Sequence, residues 1–210
     1  RAAFSDAAII AEELEEQGSL DAQDLFIIDP IDGTANFVHG LPYCAVSIAY
    51  YQKGIPSAGV VYDPYRQAMY WAKAGQGAFL NGKQLQIPDK KLAESLVVFG
   101  TSPYDMETVD DTFSRLRDLL GRCRDLRRLG AAALDICHVA DGTIGLYFEA
   151  RVSLWDYAAA RLILREAGGT FIDFQGEDIR LQLEKTSVIA GRAEIIQESG
   201  LLAGGRQRRE

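Results

Sequence analysis

Short apolar runs separated by turn residues dominate the first half of the chain. The runs include residues 25–28, 45–51 and 59–62, and turn signals recur at 53–54, 63–64 and 81–82. Runs of this length, bounded by Gly, Pro or Asn, are typical of strands that are joined by tight turns. We therefore predict an antiparallel meander from Tyr43 to about Leu85.

The pattern changes after Pro88. Strand-like runs at 96–99 and 144–148 are interleaved with helix-like patterns at 105–120, 131–140 and 157–167. Strands that alternate with helices are typical of an α/β arrangement. We therefore predict two parts, an α+β half over residues 1–90 and an α/β half over residues 91–210.

One apolar run ends in a cluster of polar residues, because residues 25–28 are followed by Asp29-Pro30-Ile31-Asp32-Gly33-Thr34. A run of this kind predicts a buried strand, whose end delivers two carboxylates, a glycine turn and a hydroxyl to one place. Either dipeptide alone, Asp29-Pro30 or Asp32-Gly33, is an ordinary turn former. The whole string after a buried strand favours a site for a hard metal ion and a phosphate.

Carboxylates gathered in one place repel one another unless a cation compensates them. Asp side chains and backbone carbonyl oxygens suit Mg²⁺, with Mn²⁺ as an alternative. The ligands that zinc prefers are scarce and widely spaced: His39, His138, Cys44, Cys123 and Cys137. A zinc site is therefore not expected.

Several ordered motifs carry a family resemblance. The segment DPIDGTANFVHGLPYCAVSIAY at residues 29–50 resembles the first signature of the inositol monophosphatase family, and WDYAAARLILREAGG at residues 155–169 resembles the second. Residues 11–13, 77–85 and 127–135 resemble further segments of that family. The resemblance implies a layered α/β/α/β/α sugar-phosphatase fold, with an antiparallel sheet in the first half, a mixed sheet in the second and the active site between them.

The resemblance also implies a Mg²⁺-dependent phosphomonoesterase. Its metal ligands would be Glu13, Asp29, the Ile31 carbonyl, Asp32 and Asp156, and Glu12 would be a neighbour of these ligands or simply exposed. Four carboxylates carry four negative charges. Three divalent ions would therefore leave a net charge of +2, which neutralises a phosphate monoester dianion, whereas two divalent ions would leave a net charge of zero. Glu13, Asp29 and Thr34 would act in catalysis, with Glu13 and Thr34 orienting a metal-bound water.

Substrate contacts are expected from the same segments. The backbone at Gly33 and Thr34 enters a predicted helical turn, where amides favour a phosphate. By resemblance, Asp32, Asp156, Glu149 and the backbone of Gly130-Ala131-Ala132 also meet the substrate. Asp156 is open to a second interpretation as the N-cap of the helix over 157–167. Ala131 stands where relatives carry a hydroxyl, which weakens inositol as the substrate.

Composition narrows the function classes. The chain has 210 residues, 48% of them hydrophobic, and a net charge of −8. Such an acidic chain is not expected to bind nucleic acid, and no apolar run is long enough to span a bilayer. Three scattered cysteines and the lack of a recognisable leader favour the cytoplasm. The arginines of residues 206–209 are expected to form a solvated tail.

The expected reaction is hydrolysis of a small polyol or sugar phosphate, inositol 1-phosphate first. Fructose 1,6-bisphosphate, 3′-phosphoadenosine 5′-phosphate, histidinol phosphate and NADP are alternative substrates, and a catalytically silent, partner-binding relative is an alternative class. From the resemblance we also expect lithium inhibition and a homodimer. Relatives have two helices and a loop before the residue 11–13 motif, so we expect that residues precede Arg1 in the natural protein.

Overall fold

The computed structural model describes residue 4 and residues 6–101 and 106–202. Within these residues the first sheet has seven strands, in the order β1 to β7. Their bounds are β1 Ala8–Ala11, β2 Asp24–Asp32, β3 Ala45–Gln52, β4 Ile55–Asp63, β5 Ala68–Lys73, β6 Ala78–Leu80 and β7 Lys83–Gln84. β1 pairs with β2 in parallel, and each later pair is antiparallel, which confirms the predicted meander.

The second sheet follows in the chain and is mixed. Its strands are β8 Leu96–Phe99, β9 Asp125–Arg127, β10 Leu146–Val152, β11 Thr170–Ile172 and β12 Thr186–Gly191, in the order β11-β12-β10-β8-β9. The helices are α1 Thr34–Val38, α2 Val109–Leu120, α3 Ala132–Ala140, α4 Leu154–Glu166 and α5 Ala193–Ser199, with 3-10 turns at Leu92–Glu94 and Met106–Thr108.

The second sheet is buried on both faces. Val98, Tyr147 and Val188 point to one side and join the large core, whereas Val97 and Phe148 point to the other side and join a smaller core with residues of α2 and α5. Successive strand residues face opposite sides of a sheet. A strand that is covered on both faces therefore has an unbroken apolar sequence, as residues 96–99 do.

Helices α3 and α4 form the layer between the two sheets. α4 lies across strands β2 to β6 and also packs against α3. Its backbone approaches β4 so closely that a Cβ at Gly59 would lie 2.8 Å from the Ala159 carbonyl oxygen. The small side chains of Ala158, Ala159 and Ala160 permit this approach, and all three are buried. The two halves of the chain therefore share one core.

The layers run sheet, helices, sheet, helices, and they confirm the layered sandwich. The helix predicted over 131–140 is α3, and the helix predicted over 105–120 is the 3-10 turn followed by α2, with residue 105 outside the described residues. The strand predicted over 144–148 is shifted to Leu146–Val152. The helix predicted from Tyr157 begins at Leu154 instead, because Ser153 is its N-cap.

The outer face of the first sheet carries partly exposed apolar side chains. Among them are Ile9 of β1, Ile48 of β3 and Met69 of β5. Phe4 packs edge-on against Phe26 and Tyr50 on this face. Within the described residues, no helix combines the length and apolarity that crossing a bilayer requires.

Candidate active site

The predicted polar cluster lies at the end of β2. Asp29 is buried, with 1% of its surface exposed, and its Oδ1 accepts the Ile31 N–H at 2.9 Å. The pairing of β2 with β3 becomes irregular between Asp29 and Asp32, which turns the chain toward α1. One Asp29 oxygen thus organises the turn.

Glu12 and Glu13 both act on Asp29: Glu12 through a hydrogen bond and its charge, and Glu13, the predicted ligand, through its charge. The Glu12 and Asp29 carboxyl groups share a hydrogen bond. The physical reason is the strand register: Ala11 pairs with Ile28, and the Glu12 N–H still donates to the Ile28 carbonyl, so Glu12 stays beside the end of β2. Glu12 and Glu13 both lie in the turn that follows β1, and both are exposed.

Asp32 joins the two halves of the chain. Its Oδ1 accepts the Ala132 N–H at 3.0 Å, and its Oδ2 accepts the Ala133 N–H at 2.8 Å. These amides open α3, whose N-cap residue Ala131 has no side-chain hydroxyl to cap them. Amides at a helix start lack intrahelical partners, so a carboxylate from β2 takes over the cap.

Two amides of the predicted substrate segment Gly130-Ala131-Ala132 have partners within the protein. The Gly130 N–H donates to the carboxylate of Asp135, and the Ala132 N–H donates to Asp32. Ala131 itself is buried, with 1% of its surface exposed. The amides of Gly130 and Ala132 thus hold carboxylates of the protein in place.

Gly33 is packed tightly against this segment. Its φ of 88° lies in the left-handed region, and an added Cβ would lie 3.0 Å from the Ala131 Cβ and 3.1 Å from the Tyr43 carbonyl oxygen. Only glycine adopts this conformation without a steric cost and also fits the available space. The turn from β2 into α1 thus depends on Gly33.

Thr34 begins α1 and is exposed. Its hydroxyl donates to the Ile31 carbonyl oxygen at 3.0 Å. Because the proton of the hydroxyl is engaged, the oxygen presents its remaining lone pairs as acceptors. The Ile31 carbonyl, a predicted metal ligand, keeps one lone pair for a further partner.

Asp156 reaches the same place from α4. Its Oδ2 accepts the Ser153 N–H at 2.8 Å and completes a capping box, so Asp156 is the third helical residue and not the N-cap. Ser47 pairs in register with Asp29, and its hydroxyl donates to the Trp155 carbonyl oxygen at 3.4 Å. The start of α4 is thereby held beside the end of β2.

The carboxylates of the cluster raise one another's pKa. Burial is the largest cause for each of them, and it raises the pKa of Asp29 to about 7 and that of Asp156 to about 8. The charge of Glu12 adds to the increase at Asp29, and the charge of Asp29 adds to the increase at Asp156 and at Asp32. Such mutual repulsion is relieved by protonation or by a cation.

The residues present form an open group of oxygen ligands, which suits Mg²⁺, and not a closed metal site. Among the described residues, no three His, Cys, Asp or Glu side chains are arranged so that they could enclose an ion. Mg²⁺ binds through one or two carboxylates and keeps several waters, so an open group of oxygen ligands suits it. One or two carboxylates from Glu12, Asp29, Asp32 and Asp156, together with the Ile31 carbonyl, could hold it, because an oxygen that accepts one hydrogen bond keeps a lone pair for an ion.

Glu149 lies on the side of the site that the second half of the chain forms. It is in the middle of β10, because this strand extends to Val152 and does not end at residue 148 as predicted. Its carboxylate lies over Gly100, where a Cβ would overlap it, and accepts the Tyr147 hydroxyl at 2.6 Å. Burial raises its pKa, while the charges of Arg128 and Lys185 oppose the increase.

Sequence reasoning missed three residues that assemble the site. The Asn36 amide donates to the carbonyl oxygens of Tyr43 and Leu129, at 2.9 and 2.8 Å. The Tyr43 hydroxyl donates to Asp135 at 2.7 Å, and Asp135 is 1% exposed. Their polarity within otherwise apolar segments was a signal of function, but Asn36 lies 93 residues from Leu129, and Tyr43 lies 92 residues from Asp135.

Known proteins share both the fold of this chain and its motifs. The family described as "Inositol monophosphatase family" matches residues 1–205. The chain belongs to the inositol monophosphatase family. It superposes on the inositol monophosphatase from Anabaena (Nostoc) with a TM-score of 0.87 at 33% identity, covering 96% of this chain and 80% of that one.

Curated relatives of the family carry two kinds of name. The Nus factor SuhB of Pasteurella multocida is 43% identical over 180 residues, which cover 84% of this chain and 66% of that protein. The inositol-1-monophosphatase of Mesorhizobium japonicum is 38% identical over 195 residues, which cover 90% of this chain and 72% of that protein. The chain thus spans about two thirds of the length of these relatives. The family and its solved structures support a phosphatase.

Proposed function

We propose that the protein hydrolyses a small phosphate monoester with the help of Mg²⁺, and that inositol 1-phosphate or a related polyol phosphate is its substrate. The observation that carries this proposal is the meeting of Asp29, Glu12 and Asp156 at the junction of β2 and α4. These three carboxyl groups come from distant parts of the chain and raise one another's pKa. A cluster of this kind is unfavourable for folding, so it points to a function.

Each residue has a role that follows from its contacts. Bound Mg²⁺ would lower the pKa of a coordinated water and neutralise part of the phosphate charge. Thr34 donates its own proton to the Ile31 carbonyl, so its oxygen accepts from the attacking water and orients that water. The Glu12 carboxylate, hydrogen-bonded to Asp29, is proposed to orient the same water, whose proton passes to the solvent.

The remaining residues position these groups. Asp32 fixes α3 against the end of β2, and Gly33 allows the tight turn into Thr34. The amides of Gly33 and Thr34 are proposed to receive the phosphate, as predicted from the sequence. Glu149 is proposed to accept a hydroxyl group of the substrate, and water protonates the leaving alkoxide.

A phosphate-release assay tests the proposal. Inositol 1-phosphate, fructose 1,6-bisphosphate, 3′-phosphoadenosine 5′-phosphate, histidinol phosphate and NADP are compared with Mg²⁺ and after chelation. We expect release from a polyol phosphate that stops on chelation, and a loss in Asp156→Asn of about 100-fold or more. Thr34→Ala should lower kcat without changing Mg²⁺ affinity, and Thr34→Ser should restore it. Release that survives chelation would contradict the metal mechanism.

A second candidate is the role for which several relatives are named. Proteins called Nus factor SuhB reach 43% identity with this chain, which favours a partner-binding function besides hydrolysis. A bacterial strain that lacks its own SuhB separates the two functions. Rescue by the Asp156→Asn variant would show a role that does not need hydrolysis, whereas rescue by the unsubstituted chain alone would tie the role to catalysis.

A further inference from the structure

Two side chains of opposite charge lie at the end of β8. The Glu149 carboxylate lies against Gly100, where an added Cβ would overlap it. The next residue, Thr101, accepts the Arg128 Nε–H with its hydroxyl oxygen at 3.0 Å. The carboxylate that is proposed to accept a substrate hydroxyl therefore has an arginine near it, and the charge of this arginine acts on its pKa.

Arg128 also borders the segment that packs against the turn into α1. An added Cβ at Gly130 would lie 3.1 Å from the Arg128 Nη1 and 3.3 Å from the Asn36 Nδ2. An added Cβ at Gly33 would in turn lie 3.2 Å from the Gly130 carbonyl oxygen. The guanidinium of Arg128 thus lies on the side of the site where the alcohol part of a substrate is expected, next to the turn that is proposed to receive the phosphate.

Most of the N–H donors of Arg128 are available to a ligand. The side chain is exposed, and within residues 4, 6–101 and 106–202 its hydrogen-bond partner is Thr101 alone. It forms no ion pair in those ranges, unlike Arg127, whose Nη1 lies 2.5 Å from the Asp125 Oδ2. A guanidinium has five N–H donors in a planar fork, so both Nη groups remain. This fork matches the oxygens of a carboxylate or a phosphate.

The charges around Arg128 are compatible with an anionic ligand. Its charge acts on two carboxylates, Glu149 and Asp135, and burial raises the pKa of both, which disfavours their negative form. Asp135 is also engaged inside the protein, since it is 1% exposed. Lys185 contributes a second positive charge, which acts on Glu149 and on Glu12. An anionic group beside Glu149 would therefore meet two cations.

We propose that Arg128 determines substrate specificity by binding an anionic group on the alcohol part of the substrate, next to the hydroxyl that Glu149 accepts. This inference rests on the proposed phosphatase function and names its substrate class, a sugar or polyol phosphate that carries a second phosphate or a carboxylate. The phosphate to be hydrolysed is proposed to lie at the amides of Gly33 and Thr34, so Arg128 serves the second group. Inositol 1-phosphate has hydroxyls for Glu149 but no second anion for Arg128.

Fructose 1-phosphate and fructose 1,6-bisphosphate test the proposal, because they differ only in the second phosphate. Phosphate release is measured with Mg²⁺, and phosphorus NMR identifies fructose 6-phosphate as the product of the bisphosphate. We expect a higher kcat/KM for the bisphosphate in the unsubstituted chain. Arg128→Gln should lower this kcat/KM about 10- to 100-fold, mainly through KM, because a charge-assisted bidentate contact is lost.

The same variant should change kcat/KM for fructose 1-phosphate less than about twofold, since this ester has no group for Arg128. Equal losses for the two esters would mean that Arg128 is structural or binds the transferred phosphate, and they would overturn the proposal. The absence of a preference for the bisphosphate in the unsubstituted chain would overturn it as well.

Matched variants separate Arg128 from the general charge of the site. Arg127→Gln makes the same change at the neighbouring arginine, which is paired with Asp125, and should leave both rates unchanged. Arg128→Lys keeps the charge without the fork and should restore part of the preference, which a purely structural role would not predict. Lys185→Gln removes the other cation near Glu149. A loss of preference in Lys185→Gln equal to that in Arg128→Gln would refute the specific role of Arg128.

Hydrolysis of neither ester would contradict the proposed function itself. Titration calorimetry with fructose 1,6-bisphosphate and Mg²⁺ then tests Arg128 independently of turnover. Weaker binding to Arg128→Gln than to the unsubstituted chain would support the role of Arg128, and equal affinity would refute it.

Discussion

The carboxylate of Asp32 accepts the amide N–H of Ala133, 101 residues further along the chain, at 2.8 Å. This contact caps α3 with a residue of β2, and it brings the second half of the chain to the end of the first sheet. The assignment of the neighbouring glutamate, the turn at Gly33 and the ionisation of the cluster can each be tested.

Glu12 and Glu13 form a matched pair for mutation. Glu12→Gln removes the partner of Asp29 and should lower phosphate release about 100-fold, because one charged oxygen ligand of the cluster is lost. Glu13→Gln leaves the hydrogen bond between Glu12 and Asp29 in place and should stay close to the unsubstituted enzyme. Steady-state kinetics at saturating Mg²⁺ compares the two variants. A larger loss of activity in Glu13→Gln than in Glu12→Gln would favour Glu13 as the ligand.

Gly33→Ala should destabilise the fold and inactivate the enzyme. It places a Cβ at a φ of 88° against Ala131, so we expect a loss of about 1–3 kcal/mol in the free energy of unfolding. Gly40→Ala is the control, because Gly40 has a φ of 70° and nothing within 4 Å of its added Cβ. Urea unfolding of both variants separates the effect of backbone strain from the effect of the steric clash. Equal losses in the free energy of unfolding would show that the clash with Ala131 contributes nothing.

Mg²⁺ should stabilise the protein more as the pH rises. The pKa of Asp29 is raised from 3.8 to about 7 and that of Asp156 from 3.8 to about 8. Their contribution to stability without metal is thus complete below 3.8 and is lost as the pH rises through 7 to 8. The difference in Tm with and without Mg²⁺ should grow between about pH 6 and 9.

The Asp156→Asn variant provides the control for this titration. It removes one of the two carboxyl groups with the raised pKa, so the growth of the Mg²⁺ effect with pH should be smaller. An effect of Mg²⁺ on Tm that is equal at both ends of the range would mean that these carboxylates do not bind the ion.

Lithium should inhibit hydrolysis when Mg²⁺ is limiting. The family resemblance implies this sensitivity, and a small monovalent cation can take a Mg²⁺ position without matching its charge. A lithium titration at two Mg²⁺ concentrations measures it. Rates that do not respond at either concentration would show that this member is resistant.

The protein should form a homodimer, which is the commonest state of soluble oligomers. Light scattering at micromolar concentration should give twice the mass of one chain. A single-chain mass under these conditions would contradict the prediction.

Local sequence determined much of the fold. The runs at 45–51 and 59–62 became β3 and β4, because alternation and turn residues act over a few positions. The string from Asp29 to Thr34 marked the end of a buried strand for the same reason. The start of α4 was missed by three residues, since the capping box of Ser153 and Asp156 depends on side-chain geometry.

The tertiary structure decided which groups meet. Sequence motifs named Asp32 and Asp156 as ligands, but only packing showed that Asp32 caps α3 and that Ser47 holds Trp155 beside Asp29. The hydrogen bond between Glu12 and Asp29 depends on the pairing of β1 with β2. Glu12 lies in the turn directly after β1, and only the pairing of these separate segments places that turn beside Asp29.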